Sequence, residues 1–365
     1  MSRTGIRGCT GAVRPPRERP ALSRLLAPIT CGVKGRLEGG VVRLGRDGST
    51  LYEQSGYGRP GREGISLSPV EALYLVHRGR IEITGESFES LLDRFTSDGH
   101  FLRAYLVYRD LRERGYVVQT GPHDFRVFRR GQKPGSGQSQ YMVRVLSERD
   151  PIEFGRLVAE ATSTANMRKS HLLAVVDDED ELTYYEVKLS ALPERDSVPV
   201  EGTVVGRRFG WAVIASDANG EALQQAGYGT RVDEHRLKLA PVEALHLLEK
   251  GVLRLEREGG PTDDYRDAIA RVDPEAPEKT AVYTHLRDRG YVPRTGYKFG
   301  HHYRVYVPGR THSEMLVHAI PRGADLPMSV ISRSVRLAHS VKKKMLFGCQ
   351  HSEGIFFVEF ARVKL

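Results

Sequence analysis

Late in the chain, three residue types able to act on a phosphodiester occur in order. Tyr306 closes Tyr303-Arg304-Val305-Tyr306, His312 opens His312-Ser313-Glu314-Met315-Leu316-Val317, and Lys343 sits in Ser340-Val341-Lys342-Lys343-Lys344. Breaking an RNA strand without a metal needs one group to take the ribose 2′-hydroxyl proton and another to protonate the departing 5′-oxygen. It also needs a cation beside the phosphorus as charge builds there. Tyrosine, histidine and lysine match those demands. An imidazole with an ordinary pKa of about 6.5 keeps a usable protonated fraction near neutrality. A phenol, ordinarily titrating at about 10, needs neighbouring cations to favour its phenolate. Taken singly, each has a plainer reading: Tyr306 as a packing residue, His312 as the solvated start of a strand, and the lysine run as a solvated helix face.

The elements holding these groups are legible from periodicity. Tyr303 to Tyr306 alternate as a strand, so residues three apart point to opposite faces. A charged helix over 280–288 stops at Gly290, an apolar strand follows His312, and a helical stretch covers 328–344. The same order occurs earlier, with a helix over 104–113 stopped by Gly115 and strands at Phe125-Arg126-Val127-Phe128, Tyr141 to Val145 and Leu172 to Val176. A helical stretch over 152–165 lies between the last two.

That correspondence is a repeat. Gly56-Tyr57-Gly58 and Leu67-Ser68-Pro69-Val70-Glu71-Ala72-Leu73 return as Gly227-Tyr228-Gly229 and Leu239-Ala240-Pro241-Val242-Glu243-Ala244-Leu245. Leu111-Arg112-Glu113-Arg114-Gly115-Tyr116-Val117 returns as Leu286-Arg287-Asp288-Arg289-Gly290-Tyr291-Val292, and the offset drifts only from 171 to 175 residues. Two copies are too few for a solenoid. The fold class expected is α/β (α+β) with mixed sheets, duplicated in tandem. Each copy has a small N-terminal α/β lobe, whose helix opens at Ser68-Pro69 with serine as N-cap and proline in the first turn, and a C-terminal nuclease-like lobe. The expected division is 1–31, 32–95, 96–192, 193–270 and 271–365.

The ordered blocks of the second copy resemble the archaeal tRNA-splicing endonucleases of the type that carries both repeats in one chain. The resemblance runs over both repeats, and three blocks in order are far more specific than any one. It implies cleavage of precursor tRNA at the bulge-helix-bulge junctions of an intron, with no metal and no cofactor. The products would be a 2′,3′-cyclic phosphate and a 5′-hydroxyl. Tyr306 would be general base, His312 general acid and Lys343 electrostatic stabiliser. It also implies two arginines that sandwich a flipped-out base. Arg336, seven residues before Lys343, matches one, and Arg362 is the candidate for the other. The Tyr306-to-His312 spacing is shorter than the family pattern.

The first copy has lost two of the three groups: Phe128 stands at the place of Tyr306 and Gln138 at that of His312, while Lys169 matches Lys343. One centre per chain and two intron boundaries to cut imply a homodimer. Asp177-Asp178-Glu179-Asp180-Glu181 is a block ordinarily read as a solvated turn. The resemblance makes it a loop that docks into a basic groove of the partner's second repeat. His301 and His302 read as surface or structural residues, and His339, in the helical stretch, as structural.

Composition sets the outer bounds. A chain of 365 residues with 28% charged residues is multidomain and globular. A net charge of +9 favours a polyanionic partner. Cys9, Cys31 and Cys349 are too scattered for a zinc site or disulfide framework. The apolar runs are too short for a membrane span, so a cytoplasmic location is expected. Arg3, Arg7, Arg14, Arg17, Arg19 and Arg24, interrupted by prolines, suggest a flexible basic tail over 1–31. Two other classes remain open on sequence: a noncatalytic RNA-binding or assembly subunit, and a metal-dependent nuclease, for which the second copy offers no suitable acidic set.

Overall fold

A computed structural model describes residues 32–96, 99–216, 218–256, 262–351 and 354–365. The basic segment 1–31, with Cys9 and Cys31, lies outside the described residues. The first small lobe consists of β1 (Val33–Glu38), β2 (Val41–Leu44), α1 (Ser49–Ser55), β3 (Arg59–Gly61), β4 (Gly64–Leu67), α2 (Pro69–His77), β5 (Ile81–Ile83) and α3 (Phe88–Phe95). The first large lobe follows with α4 (Gly99–Glu113), β6 (Val118–Thr120), β7 (Phe125–Phe128), β8 (Ser139–Ser147), β9 (Pro151–Glu153), α5 (Phe154–Asn166), β10 (Ser170–Val176) and β11 (Leu182–Leu189).

The second half repeats both. Its small lobe is β12 (Val204–Phe209), β13 (Ala212–Ser216), α6 (Ala218–Gln225), β14 (Thr230–Arg231), β15 (Arg236–Leu239), α7 (Pro241–Glu249), β16 (Leu253–Leu255) and α8 (Thr262–Ala270). Its large lobe is α9 (Ala276–Asp288), β17 (Val292–Thr295), β18 (Tyr303–Tyr306), β19 (Met315–Ile320), β20 (Asp325–Pro327), α10 (Met328–Ser340), β21 (Lys344–His351) and β22 (Gly354–Val363). The small lobes have five-stranded sheets of equivalent order, β3-β4-β2-β1-β5 and β14-β15-β13-β12-β16, each with one parallel pair.

The repeated words hold the two lobes of each half together. Glu71, at the third position of α2, accepts the Ser68 N–H at 2.9 Å and, with its other oxygen, the Gly58 N–H at 3.0 Å. Glu243 does the same for Ala240 at 2.8 Å and Gly229 at 3.1 Å, and also accepts from the Arg294 guanidinium at 3.1 Å. These buried carboxylates therefore satisfy helix-start donors and tie the helix to the glycine turn. Arg112 stacks 3.7 Å from the Tyr57 ring centroid and donates to the Ser55 carbonyl; Arg287 stacks 3.6 Å from Tyr228 and donates to the Ala226 carbonyl. The arginine of the large-lobe helix thereby locks onto the Gly-Tyr-Gly turn of the small lobe.

Both large lobes share one ten-stranded sheet, ordered β17-β18-β19-β21-β22-β11-β10-β8-β7-β6. The halves meet at β11 and β22, which pair antiparallel from Tyr184↔Val363 to Leu189↔Val358. A small ribbon of β9 with β20 crosses between the halves again. One buried cluster draws on both halves, with Phe154 and Leu157 of α5 beside Ile331 and Val335 of α10.

Several helix ends differ from the sequence reading. The stretch expected as helix over 328–344 stops at Ser340, and Lys344 opens a strand. Lys342 turns left-handed at φ 54°, and the N–H of Lys343 returns to the Ala338 carbonyl at 2.8 Å. Arg168 and Lys169 repeat this at φ 55°, with a bond to the Thr164 carbonyl at 3.1 Å. The lysine run is thus a helix-ending turn, not a helix face. The stretch 152–165 likewise starts late, because Ile152 belongs to β9 and only from Phe154 does the chain wind as α5. Helices expected over 104–113 and 280–288 begin earlier, at Gly99 and Ala276.

Candidate active site

Strand directions bring the three sequence-selected residues to one end of the sheet. β18 runs antiparallel to β19, with Val305 opposite Met315, so Tyr306 at the end of β18 lies at the edge where β19 starts. β19 runs parallel to β21, with Met315 opposite Lys344, so the starts of both strands share that edge. His312 stands just ahead of β19 and Lys343 just ahead of β21. The Lys343 ammonium donates to the Ser313 carbonyl, which joins the two strand entrances directly.

Surroundings sort the side chains further. Burial alternates along β18, so Tyr303 is enclosed, donating its hydroxyl to the Lys279 carbonyl at 2.8 Å, while Tyr306 is half-buried on the other face. Arg304 shares the face of Tyr306, with its guanidinium carbon 5.6 Å from that ring's centroid. Partial burial, together with the Arg304 and Lys298 cations, holds Lys343 below the ordinary lysine range. Exposed His312 and half-buried Lys343 line one open cleft of about 1010 Å³. Tyr306 lines an adjoining cavity of about 850 Å³, and Arg310 borders both. Among the described residues, no hydrogen bond links Tyr306, His312 and Lys343 to one another.

His339 corrects an expectation. It was read as structural, yet it is exposed on α10 and lines the His312 cleft. His301 and His302 are enclosed rather than on the surface: His302 stacks on His318 with centroids 4.1 Å apart and accepts the Ala319 N–H at 2.9 Å. Burial pushes both His301 and His302 down to about 4, so both rings are neutral at physiological pH. Arg304 was not singled out from sequence, although alternation along Tyr303-Arg304-Val305-Tyr306 already puts it two residues from Tyr306 and on the same face.

The remaining sequence candidates are placed as follows. Arg336 is exposed on α10, and Arg362 is exposed on β22, opposite Tyr185. The β21–β22 register, with Met345 opposite Phe360, brings the Arg362 end of β22 alongside the entrance to β21. Directions alternate from β21 through β22 and β11 to β10, so the acidic turn leaves the sheet at the same edge as Lys343, three strands away. Within that turn Asp177 is used internally, accepting the N–H groups of Glu179 at 3.0 Å and Glu181 at 2.9 Å, while Asp178 pairs with Arg149. In the first half the equivalent edge presents Phe128, buried, and Gln138, exposed. No group of three or more histidine, cysteine or acidic side chains able to hold a metal occurs among the described residues.

The order of domains along the chain recurs in known proteins. The family model for the catalytic C-terminal domain of tRNA intron endonucleases matches residues 101–184 and again 277–356, and that for their N-terminal domain matches 33–92 and 201–267. The chain belongs to the tRNA intron endonuclease family. The tRNA-splicing endonuclease of Methanococcoides burtonii is 38% identical over 334 residues, covering 86% of this chain and 95% of that protein. That of Methanosarcina acetivorans is 38% identical over 354 residues, covering 91% and 100%. The Natronomonas pharaonis enzyme is 36% identical over 335 residues, covering 86% and 94%. Both domains of the tRNA intron endonuclease family occur twice, as the tandem repeat requires. No helix among the described residues is long and apolar enough to cross a membrane.

Proposed function

We propose that this chain excises introns from precursor tRNA by cutting bulge-helix-bulge junctions without a metal ion, and that the second half does the chemistry. The observation carrying this reading is the convergence of Tyr306, His312 and Lys343 on one sheet edge through the directions of β18, β19 and β21. On this reading the Tyr306 phenolate takes the 2′-hydroxyl proton, the 2′-oxygen attacks the adjacent phosphorus, and protonated His312 donates to the departing 5′-oxygen. Lys343 neutralises charge on the phosphoryl oxygens. The strand is then left with a 2′,3′-cyclic phosphate and a 5′-hydroxyl. Arg336 and Arg362 hold a flipped-out base between guanidinium planes.

Cleavage of an intron-containing precursor tRNA in excess EDTA, followed by end-group analysis of the fragments, tests the reading. Cyclic-phosphate and 5′-hydroxyl ends are expected. Loss of cleavage in EDTA, or 5′-phosphate ends, would replace it with metal-assisted hydrolysis.

The working unit on this reading is a homodimer, since Phe128 and Gln138 leave one centre per chain for two boundaries. The exposed acids Asp178, Glu179 and Asp180 dock on a basic surface of the other copy. Sedimentation equilibrium at micromolar concentration is expected to give the mass of two chains for wild type. For a variant combining Asp178→Lys, Glu179→Lys and Asp180→Lys, a mass close to one chain is expected. A single-chain mass for wild type, or an intact dimer in the variant, removes the docking role.

A further inference from the structure

The two halves differ at the cleft between their lobes. In the first half nine residues lie between Phe128 and Gln138, and that loop folds back on the small lobe. The Lys133 ammonium donates to the Glu53 carbonyl, and a Cβ added at Gly56 would lie 3.0 Å from Pro134. In the second half only five residues lie between Tyr306 and His312. A Cβ at Gly227, the counterpart of Gly56, would have its nearest neighbours in Val292 and Arg287 instead. Gln224, the counterpart of Glu53, now borders the cavity of about 850 Å³ that Tyr306 also lines. The shortened loop leaves open between the lobes what its longer relative fills.

The cavity wall is built for a polar ligand. Its lining includes His301, 7% exposed, and Tyr283, 1% exposed; among the described residues neither ring nitrogen of His301 nor the Tyr283 hydroxyl has a hydrogen-bond partner. Arg304 Nε is a third unpartnered donor. Buried polar atoms without partners are costly, and a ligand that supplies partners recovers that cost. Because burial keeps His301 neutral, its ring offers one donor and one acceptor. The edge of a nucleobase presents the complementary pair. The rim carries exposed Arg231, which donates to Gln224 and to the Glu234 carbonyl at 2.8 Å, and exposed Arg310, paired with Glu314 at 3.7 Å, each with further N–H groups to offer a phosphate. A volume of about 850 Å³ suits a nucleotide.

We propose that this inter-lobe cavity receives a nucleotide of the RNA strand next to the cleaved phosphodiester, its base against His301 and Tyr283 and its phosphate against Arg231 and Arg310. The assignment rests on RNA cleavage at Tyr306, His312 and Lys343. It makes the small lobe of the second half part of the substrate-binding surface, with the length of the Tyr306–His312 loop controlling access.

The test uses a labelled intron-containing precursor tRNA with the full chain, measuring equilibrium binding and single-turnover cleavage. Arg231→Glu is expected to raise Kd by about 10-fold and to make the slope of log K against log salt shallower by about one. Thr230→Trp, which crowds the rim, is expected to weaken binding similarly, with circular dichroism matching wild type. Arg254→Glu, an equally exposed reversal in the same lobe but outside the cavity, is expected to change Kd less than about 3-fold. If wild type cleaves while both cavity variants bind as wild type does, or while Arg254→Glu weakens binding as much as they do, the cavity assignment is overturned and the cleavage reading stands. If wild type does not cleave, the cleavage reading falls and the cavity assignment with it.

Discussion

Replacing His312 by alanine is expected to slow single-turnover cleavage of an intron-containing precursor tRNA by about 10² to 10⁴-fold at saturating enzyme, the usual contribution of a positioned proton donor. His312 is exposed on a loop, and nothing in the fold depends on its ring, so stability should change little. Lys343→Ala is expected to cost about 10² to 10³-fold for a different reason, the loss of a cation aimed at developing phosphoryl charge. Its ammonium is anchored to the Ser313 carbonyl, next to His312, so one substitution disturbs the setting of the other. The double variant should therefore lose much less than the product of the single losses. RNA affinity should stay within about 3-fold for His312→Ala, because a proton donor acts chiefly in the transition state. Wild-type rates for His312→Ala would exclude it as the general acid and return Tyr306 and Lys343 to their plainer readings.

Much of this site was legible because its signals are local. The glycine stops, the Ser68-Pro69 start and the alternation through Tyr303 to Tyr306 each depend on neighbours within a few residues, and the repeat allowed each to be read twice. The end of α10 was misread because Ser340-Val341-Lys342-Lys343-Lys344 holds no glycine or proline. What stops the helix is the left-handed turn at Lys342, a conformation uncommon for a residue with a side chain and therefore without a signal in the residue types. The roles of Glu71 and Glu243 were also hidden. An acid at the third helical position reads as ordinary capping, and only the fold shows its second oxygen holding a glycine turn thirteen or fourteen residues earlier. The open cavity of the second half depends on loop length acting across two lobes, which periodicity does not report. The pairing of β11 with β22 was beyond reach for a related reason. Leu182–Leu189 and Gly354–Val363 are separated by most of a repeat, and strand alternation specifies faces rather than partners.

That pairing makes the second large prediction. Phe360, 2% exposed on β22, sits opposite Val187 of the first half and meets Phe347 edge-on at 5.4 Å; Phe347 in turn lies 5.4 Å from Phe154 on α5. A line of rings thus runs from the β11–β22 seam to the helix of the other half. Phe360→Ala is expected to destabilise the protein by about 3 to 5 kcal/mol, through lost apolar burial and a cavity that the flanking strands β21 and β11 keep from closing. Phe209→Ala, at a site 55% exposed, should cost under about 0.5 kcal/mol. Urea unfolding followed by far-ultraviolet circular dichroism gives both values. A cost below about 1 kcal/mol for Phe360→Ala would mean that the seam does not bind the halves energetically. The expected loss would mean that the half with Phe128 and Gln138 in place of Tyr306 and His312 still props the candidate active site. Its β11 backs β22, β22 backs β21, and the entrance to β21 holds Lys343 against the loop that carries His312.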